Sequence, residues 1–198
     1  MHRYTFSGSG FPVLLLLATL LPVIQGCATA VVAGAGAGAV ITNDKRSFGS
    51  IIDDENIEIK MRRFVDQQKV LRETAHLSFT SVNGVLLISG EIGNEQDRNL
   101  ILSHARQTSG VKRTVNQMEI APVASVSSRT RDAWITSVVK TRLASDKRVD
   151  STRIKVVTES GSVFLMGLVS QQEGADAAEA ARVVNGAKRI VKLFEYLD

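Results

Sequence analysis

The chain of 198 residues holds one cysteine, Cys27, and three histidines, at 2, 76 and 104. A single cysteine excludes an intrachain disulfide framework and any metal cluster built from cysteines alone. The histidines are too scattered to read as a metal site. His76, at the start of an expected strand, and His104, inside an expected helix, have no Ser or Cys nucleophile motif beside them; both read as surface or boundary residues. The pair Asp53-Asp54 suits the first turn of a helix, where the dipole favours carboxylates, better than an acid/base couple. Two glycine-flanked runs, 84–90 and 161–167, lack the Lys-Ser/Thr ending of a phosphate-cradling loop, so Gly90 and Gly167 are expected to end strands or to allow close helix packing. The formal charge is only +4, with no dense Lys/Arg stripe, which argues against a dedicated nucleic-acid protein. The residues therefore point to a non-enzyme without metal or cofactor, and to Cys27 as the one position with covalent chemistry to offer.

The surroundings of Cys27 indicate what that chemistry is. Residues 4–43 contain no Asp, Glu, Lys or Arg, and within them Phe11 to Ile24 is strongly apolar, with Arg3 just before it. A run of this length fits a signal-peptide core better than a membrane span. Ile24-Gln25-Gly26-Cys27 follows and resembles the lipobox of bacterial lipoproteins. That resemblance implies cleavage before Cys27, a diacylglycerol (palmitate-bearing) thioether on its sulfur and an acyl chain on its new amine. Gly26 would let the peptidase approach the scissile bond. Each buried methylene contributes about 0.8 kcal/mol, so two or three chains anchor durably. Ala28, rather than Asp, after the cysteine implies outer-membrane sorting in a Gram-negative bacterium. The alternative is an uncleaved anchor with an incidental cysteine.

Ala28 to Val40 is a run of small residues that offers little to bury. Residues 27–52 are expected to be a tether; Val31, Val32, Val40 and Ile41 leave open a segment that packs on the membrane.

The remainder is one module written twice. At an offset of 77, Gly84-Val85-Leu86-Leu87-Ile88-Ser89-Gly90 lies over Gly161-Ser162-Val163-Phe164-Leu165-Met166-Gly167; at 76, Gly110-Val111-Lys112-Arg113 lies over Gly186-Ala187-Lys188-Arg189. The modules span about 53–120 and 129–198, joined by a small, polar, proline-bearing stretch at 121–128. In each, an amphipathic helix comes first: Ile57, Met61, Phe64 and Val65 form one stripe. Two strands follow, near 76–81 and 84–90, with the hairpin signal Asn83-Gly84 between them and Ser160-Gly161 in the second copy. A second helix starts at the caps Asn94 and Ser170; Ser170-Gln171-Gln172-Glu173 has capping-box form. Gly110 and Gly186 stand where a helix-ending glycine belongs, and a last strand closes each unit, near 113–120 and 189–197. The expected fold class is α+β: two tandem αββαβ domains, each a small mixed three-stranded sheet packed by two helices.

This layout, with its glycine-flanked strands and its Gly-Val-Lys-Arg and Gly-Ala-Lys-Arg sequences, resembles the BON domain. With the lipobox and tether, the whole chain is similar to the dual-BON outer-membrane lipoproteins. Asp132-Ala-Trp-Ile-Thr136 and Val163-Phe-Leu-Met-Gly-Leu-Val169 look like that family's second domain. The resemblance implies a periplasm-facing protein that binds anionic phospholipid and supports envelope integrity.

The copies differ where function is sought. Ile135, Val139 and Leu143 match Ile57, Met61 and Val65 at an offset of 78. Trp134, Val138 and Thr141 then form a second row, where the first copy has Asn56, Lys60 and Arg63. Residues 53–120 carry 9 basic and 10 acidic side chains, net −1, against 12 and 9, net +3, in 129–198. The cluster Arg129, Arg131, Lys140, Arg142, Lys147 and Arg148 supplies much of that excess. An interfacial aromatic ring with flanking cations suits an anionic membrane surface. The expected lipid-binding residues are Trp134, Ile135, Val138, Lys140, Thr141 and Arg142. Trp134 could instead cap the sheet or pack on the first module. A protein-interaction adaptor, meeting an envelope assembly machine or a protease through the first module, is the alternative function.

Overall fold

A computed structural model describes residues 48–197. The leader, Cys27 and all but the last residues of the expected tether lie outside the described residues. The first module comprises α1 (Phe48–Gln67), a short α2 (Lys69–Thr74), β1 (His76–Val82), β2 (Val85–Ile92), α3 (Glu95–Gln107) and β3 (Arg113–Ile120). The second comprises α4 (Val126–Ser145), a 3-10 turn (Ser151–Arg153), β4 (Ile154–Glu159), β5 (Ser162–Val169), α5 (Gln171–Arg182) and β6 (Arg189–Tyr196). Each sheet is mixed: the hairpin β1–β2 is antiparallel and β2–β3 parallel, and β4–β5–β6 repeats this. The αββαβ order is as expected, with α2 and the 3-10 turn as additions.

Both hairpin turns need two residues in the left-handed region, the requirement of a type I′ turn. Asn83 and Gly84 have φ of 51° and 80°, Ser160 and Gly161 of 50° and 78°. Each turn is held by a buried carboxylate from the first helix of its module. Asp54 accepts from the backbone N–H groups of Asn83 (2.7 Å) and Gly84 (2.8 Å), and from the Ser81 hydroxyl (2.7 Å). Asp132 accepts from the N–H groups of Ser160 (3.0 Å) and Gly161 (2.9 Å). Asp53-Asp54 thus has a different role from the one expected. Helix α1 starts at Phe48, so the pair lies beyond the reach of the N-terminal dipole; Asp53 is exposed and Asp54 is a turn clamp.

One face of each sheet carries the helices. Ile57 and Met61 pack with Leu86, Ile88, Ile101 and Ala105; Ile135, Val139 and Leu143 pack with Val163, Leu165, Ala177 and Ala181. The caps form as the sequence indicates: Asn94 accepts from the Asp97 N–H and Ser170 from the Glu173 N–H. The return half of the expected capping box is diverted, because Glu173 accepts from the Asp150 N–H instead, at 2.9 Å. Gly90 and Gly167 lie within strands rather than at their ends. A Cβ on Gly90 would fall 2.0 Å from the His76 carbonyl oxygen, and one on Gly167 2.4 Å from that of Arg153. They admit the neighbouring strand, not a helix.

The other faces of the two sheets meet. Val82, Val85 and Leu87 are buried against Phe164 and Met166, with Val115, Val157, Val191 and Leu193 around them. This explains why β2 is buried at every position. A strand covered on both faces reads as a continuous apolar run, not as an alternation, and Val85–Ile88 and Val163–Met166 are such runs. The modules therefore share a core. The segment expected as a linker over 121–128 is shorter, since α4 starts at Val126 with Ser125 as its cap.

Candidate membrane-facing surface

Helix α4 positions every residue of the candidate surface. Its inward stripe, Asp132, Ile135, Val139 and Leu143, is buried and fixes which side faces out. Trp134 is 53% exposed and stands near the centre of the outer side, so it neither caps the sheet nor packs on the first module. Residues 130, 137, 141 and 145 fall on the same stripe at about 100° per residue. All four carry hydroxyls, and each donates to the carbonyl four residues back: Thr130 to Val126 (2.9 Å), Ser137 to Ala133 (3.0 Å), Thr141 to Ser137 (2.9 Å) and Ser145 to Thr141 (2.8 Å). Such back-bonding satisfies a hydroxyl inside its own helix. The stripe around the indole can then lose water cheaply, because its donors already have acceptors.

The expected residues divide. Trp134 and Thr141 share this exposed side; Arg142 is exposed but lies about 80° around the helix from Trp134, near the bearing of Ile135. Val138 is half-buried against the core. Ile135 has no exposed surface and backs the face from inside; it contacts nothing beyond the protein. Lys140 is exposed but, six residues on, lies about 120° around the helix from Trp134. Arg131 is closer to the indole, three residues before it.

The basic cluster is similarly thinned. Arg148 is held by Asp146 (2.8 Å), Asp176 (3.1 Å) and Glu179 (3.2 Å). Hydrogen bonds from Arg148 hold the Asp146 carboxyl down at about 2, so this arginine keeps an ionised partner at ordinary pH. Arg129 turns towards His76, its Nη1 3.5 Å from the ring Nδ1. Arg131, Lys140, Arg142 and Lys147 remain as outward cations. Two of them, Arg142 and Lys147, border an open groove of about 600 Å³ between the end of α4 and α5, whose apolar wall is Ala180 and the exposed Val183. No local pattern marks this groove, because its halves lie far apart in the chain.

Of the two histidines among the described residues, His76 is exposed and His104 half-buried; His104 stacks on Phe64 with ring centroids 3.7 Å apart, and burial lowers its pKa. Among the described residues no group of acidic, His or Cys side chains is placed to hold a metal ion, and no helix is long and apolar enough to cross a membrane.

The BON domain model matches this chain twice, over residues 53–122 and 131–198. The chain is a dual-BON protein. It is 34% identical over 185 residues to the outer membrane lipoprotein DolP of Haemophilus influenzae, a match covering 93% of this chain and 95% of that one. It is 32% identical to the 21 kDa hemolysin of Actinobacillus pleuropneumoniae, over 78% of this chain and 80% of the relative. The osmotically-inducible protein Y of Escherichia coli is 27% identical, over 78% of each. None of the three is named for a catalysed reaction. Both BON modules have the turn clamp and the helix-covered sheet; the position of Trp134 in the second is held by Asn56 in the first.

Proposed function

We propose that this dual-BON chain is an outer-membrane lipoprotein of the Gram-negative envelope, facing the periplasm. Cys27 carries the acyl anchor, and the outer side of α4 docks on anionic phospholipid. The observation that carries the docking is the stripe around Trp134, whose four hydroxyls bond inside the helix. It presents an indole and the methyl groups of Thr130 and Thr141, the hydroxyl donors of the stripe being bonded inside the helix, and Arg131 and Arg142 stand to one side of it. Indole favours the interfacial layer, and each cation near an anionic leaflet contributes about 1 kcal/mol. Such docking would place the protein at chosen membrane zones and support envelope integrity. No cofactor and no catalysis enter this reading.

The test is co-sedimentation of residues 28–198 with vesicles, phosphatidylcholine against phosphatidylglycerol or cardiolipin mixtures, for the wild type and Trp134→Glu, with circular dichroism to confirm folding. Binding selective for anionic vesicles and lost in the folded variant supports the proposal. No binding by the folded wild type leaves Cys27 as the only membrane contact.

A second reading rests on a different observation. In the first module, α1 and α3 border an open groove of about 390 Å³ with Lys60 and Arg63 at its rim and the Phe64–His104 stack as its floor. An adaptor would meet an envelope assembly or protease partner there. A pull-down from envelope extract in which Arg63→Glu loses no protein held by the wild type would remove it.

A further inference from the structure

The junction between the modules follows the internal repeat on one side and departs from it on the other. On the first side, Lys155 of β4 crosses to the first module, where its Nζ donates to Glu58 Oε1 (3.0 Å) and to the Ser81 carbonyl (3.1 Å). The repeat offsets map Lys155 onto Ser78, Ser81 onto Thr158 and Glu58 onto Thr136. Those three counterparts also converge, on the opposite side of the junction. There, with a serine in place of the lysine, they line an open cavity of about 380 Å³ whose wall also includes His76, Arg129, Asp132 and Glu159.

Two orphaned polar atoms stand on the same face of the first sheet as that cavity's lining. Ser89 Oγ and Glu91 Oε2 are buried and have no hydrogen-bond partner among the described residues. Ser89 pairs across the hairpin with Ser78, and Glu91 with His76, and both Ser78 and His76 line the cavity. Glu91 is only 3% exposed. By the repeat offset its counterpart is Leu168 and that of Glu159 is Val82, so the same places on the other side of the junction hold hydrocarbon. A carboxylate oxygen buried without a partner is costly, and on this side Glu91 stands near a second, half-buried carboxylate, Glu159.

The charged groups facing Glu159 are Glu91 and Glu119 of the first sheet and Asp132 and Arg129 of α4. Burial and then the three carboxylates push the Glu159 carboxyl up to about 7, against the pull of Arg129. Asp132 is committed to its turn, Arg129 lies beside His76, and Arg189, next in the row on the second sheet, donates to Gln117. Arg129 is the one cation among these that lines the cavity, and it is shared between His76 and the carboxylates; among the described residues no group of acidic, His or Cys side chains is placed to hold a metal ion.

We propose that this inter-module cavity takes a primary alkylammonium group, as Lys155 supplies in the opposite half, with Glu159 and Glu91 as counter-charge. The Thr136 and Thr158 hydroxyls, 2.8 Å apart, line its path. The source is a lysine side chain of a partner protein or a free aliphatic diamine. The site lies on the far side of α4 from Trp134 and stands apart from the lipid reading.

The test is an NMR titration of the full ¹⁵N-labelled chain in detergent micelles with n-butylammonium chloride, which reproduces a lysine side chain. Tetramethylammonium, which cannot donate a hydrogen bond, is the control, and putrescine is the second arm. Expected are saturable shifts at Ser78, Thr136 and Thr158 with n-butylammonium alone of the first two, tighter above pH 7 than below it. Glu159→Gln weakens the binding about tenfold, or 1.4 kcal/mol. Ser78→Lys, which restores the repeat, abolishes it while leaving the resonances of Val169 and Phe194 in place. Putrescine binding tenfold or more tighter assigns a free diamine; equal affinity assigns a lysine side chain. No saturable shift, an equal response to tetramethylammonium, or unchanged affinity in Glu159→Gln overturns the proposal.

Discussion

Asp54 Oδ1 lies 2.8 Å from the backbone nitrogen of Gly84, 30 residues along the chain, and Asp132 Oδ1 lies 2.9 Å from that of Gly161. In each module a helical carboxylate thus closes a hairpin turn. The residue is charged, buried and structural. Hydrogen bonds to a charged group contribute roughly 1.5–3 kcal/mol each, and their loss here leaves turn N–H groups orphaned. Asp54→Ala should therefore cost about 3 kcal/mol in urea unfolding, and Asp53→Ala, one position away and exposed, less than about 0.5 kcal/mol. Equal effects from the two would show that the clamp does not operate.

The shared core makes a second expectation. Phe164 belongs to the second module but is buried between the two sheets, and truncating a core phenylalanine costs about 3–5 kcal/mol. Phe164→Ala should lower the stability of both modules. Followed by Trp134 fluorescence for the second module and by NMR of Leu86 and Ile101 for the first, the wild type should unfold in one transition. Two separated transitions in the wild type would contradict a common core.

Acidity should register at the same junction. Glu159 has an ordinary pKa of 4.5 and is held at about 7 in the folded chain. Between those values the folded state keeps a proton that the unfolded state has lost. Stability from this group is therefore complete below about pH 4.5 and falls as pH rises towards 7. Glu159→Gln should flatten that part of the stability curve, measured as urea midpoint against pH. An unchanged slope in the variant would move the titration to another group.

On α4 the two cations predicted together should separate. Arg142 lies about 80° around the helix from Trp134, on the side of Arg131 and the groove, while Lys140 lies about 120° away on the other side. Arg142→Ala should weaken binding to phosphatidylglycerol vesicles about fivefold, near the 1 kcal/mol contributed by one cation at an anionic surface. Lys140→Ala should change it by less than half of that. The reverse order would mean that the helix meets the membrane along a different edge.

Much of this architecture was legible in the chain. The repeat, the strand order, the Asn83-Gly84 turn and the caps at Asn94 and Ser170 depend on neighbours a few residues apart, and local spacing reports such features directly. What the sequence did not disclose depends on pairs without a fixed spacing. Ile135 was placed both on the core stripe and on the lipid face, and only the packing of α4 decides between them. Arg148 reads as a free cation until Asp176 and Glu179 arrive from another helix. Glu91 and Glu159 look like ordinary strand-end acids, because nothing local reveals that the second face of each sheet is covered. The hint was in the apolar runs Val85–Ile88 and Val163–Met166, continuous where a half-exposed strand would alternate.

The back-to-back sheets have a consequence for how such a chain can diversify. Two copies of one module joined through the same face form, in effect, a homodimer written into a single polypeptide. In a true homodimer every substitution appears twice, once on each side of the axis, so a lysine bridge at one end forces a lysine bridge at the other. Fusion removes that constraint. One half can keep Lys155 as an internal strut while the equivalent place in the other half changes to Ser78 and opens, and one helix can acquire an indole while its twin stays polar. The covalent link also holds the halves together at high effective concentration, so the interface can tolerate a weakened end without dissociating. Duplication here has provided a scaffold with one side free to be remodelled.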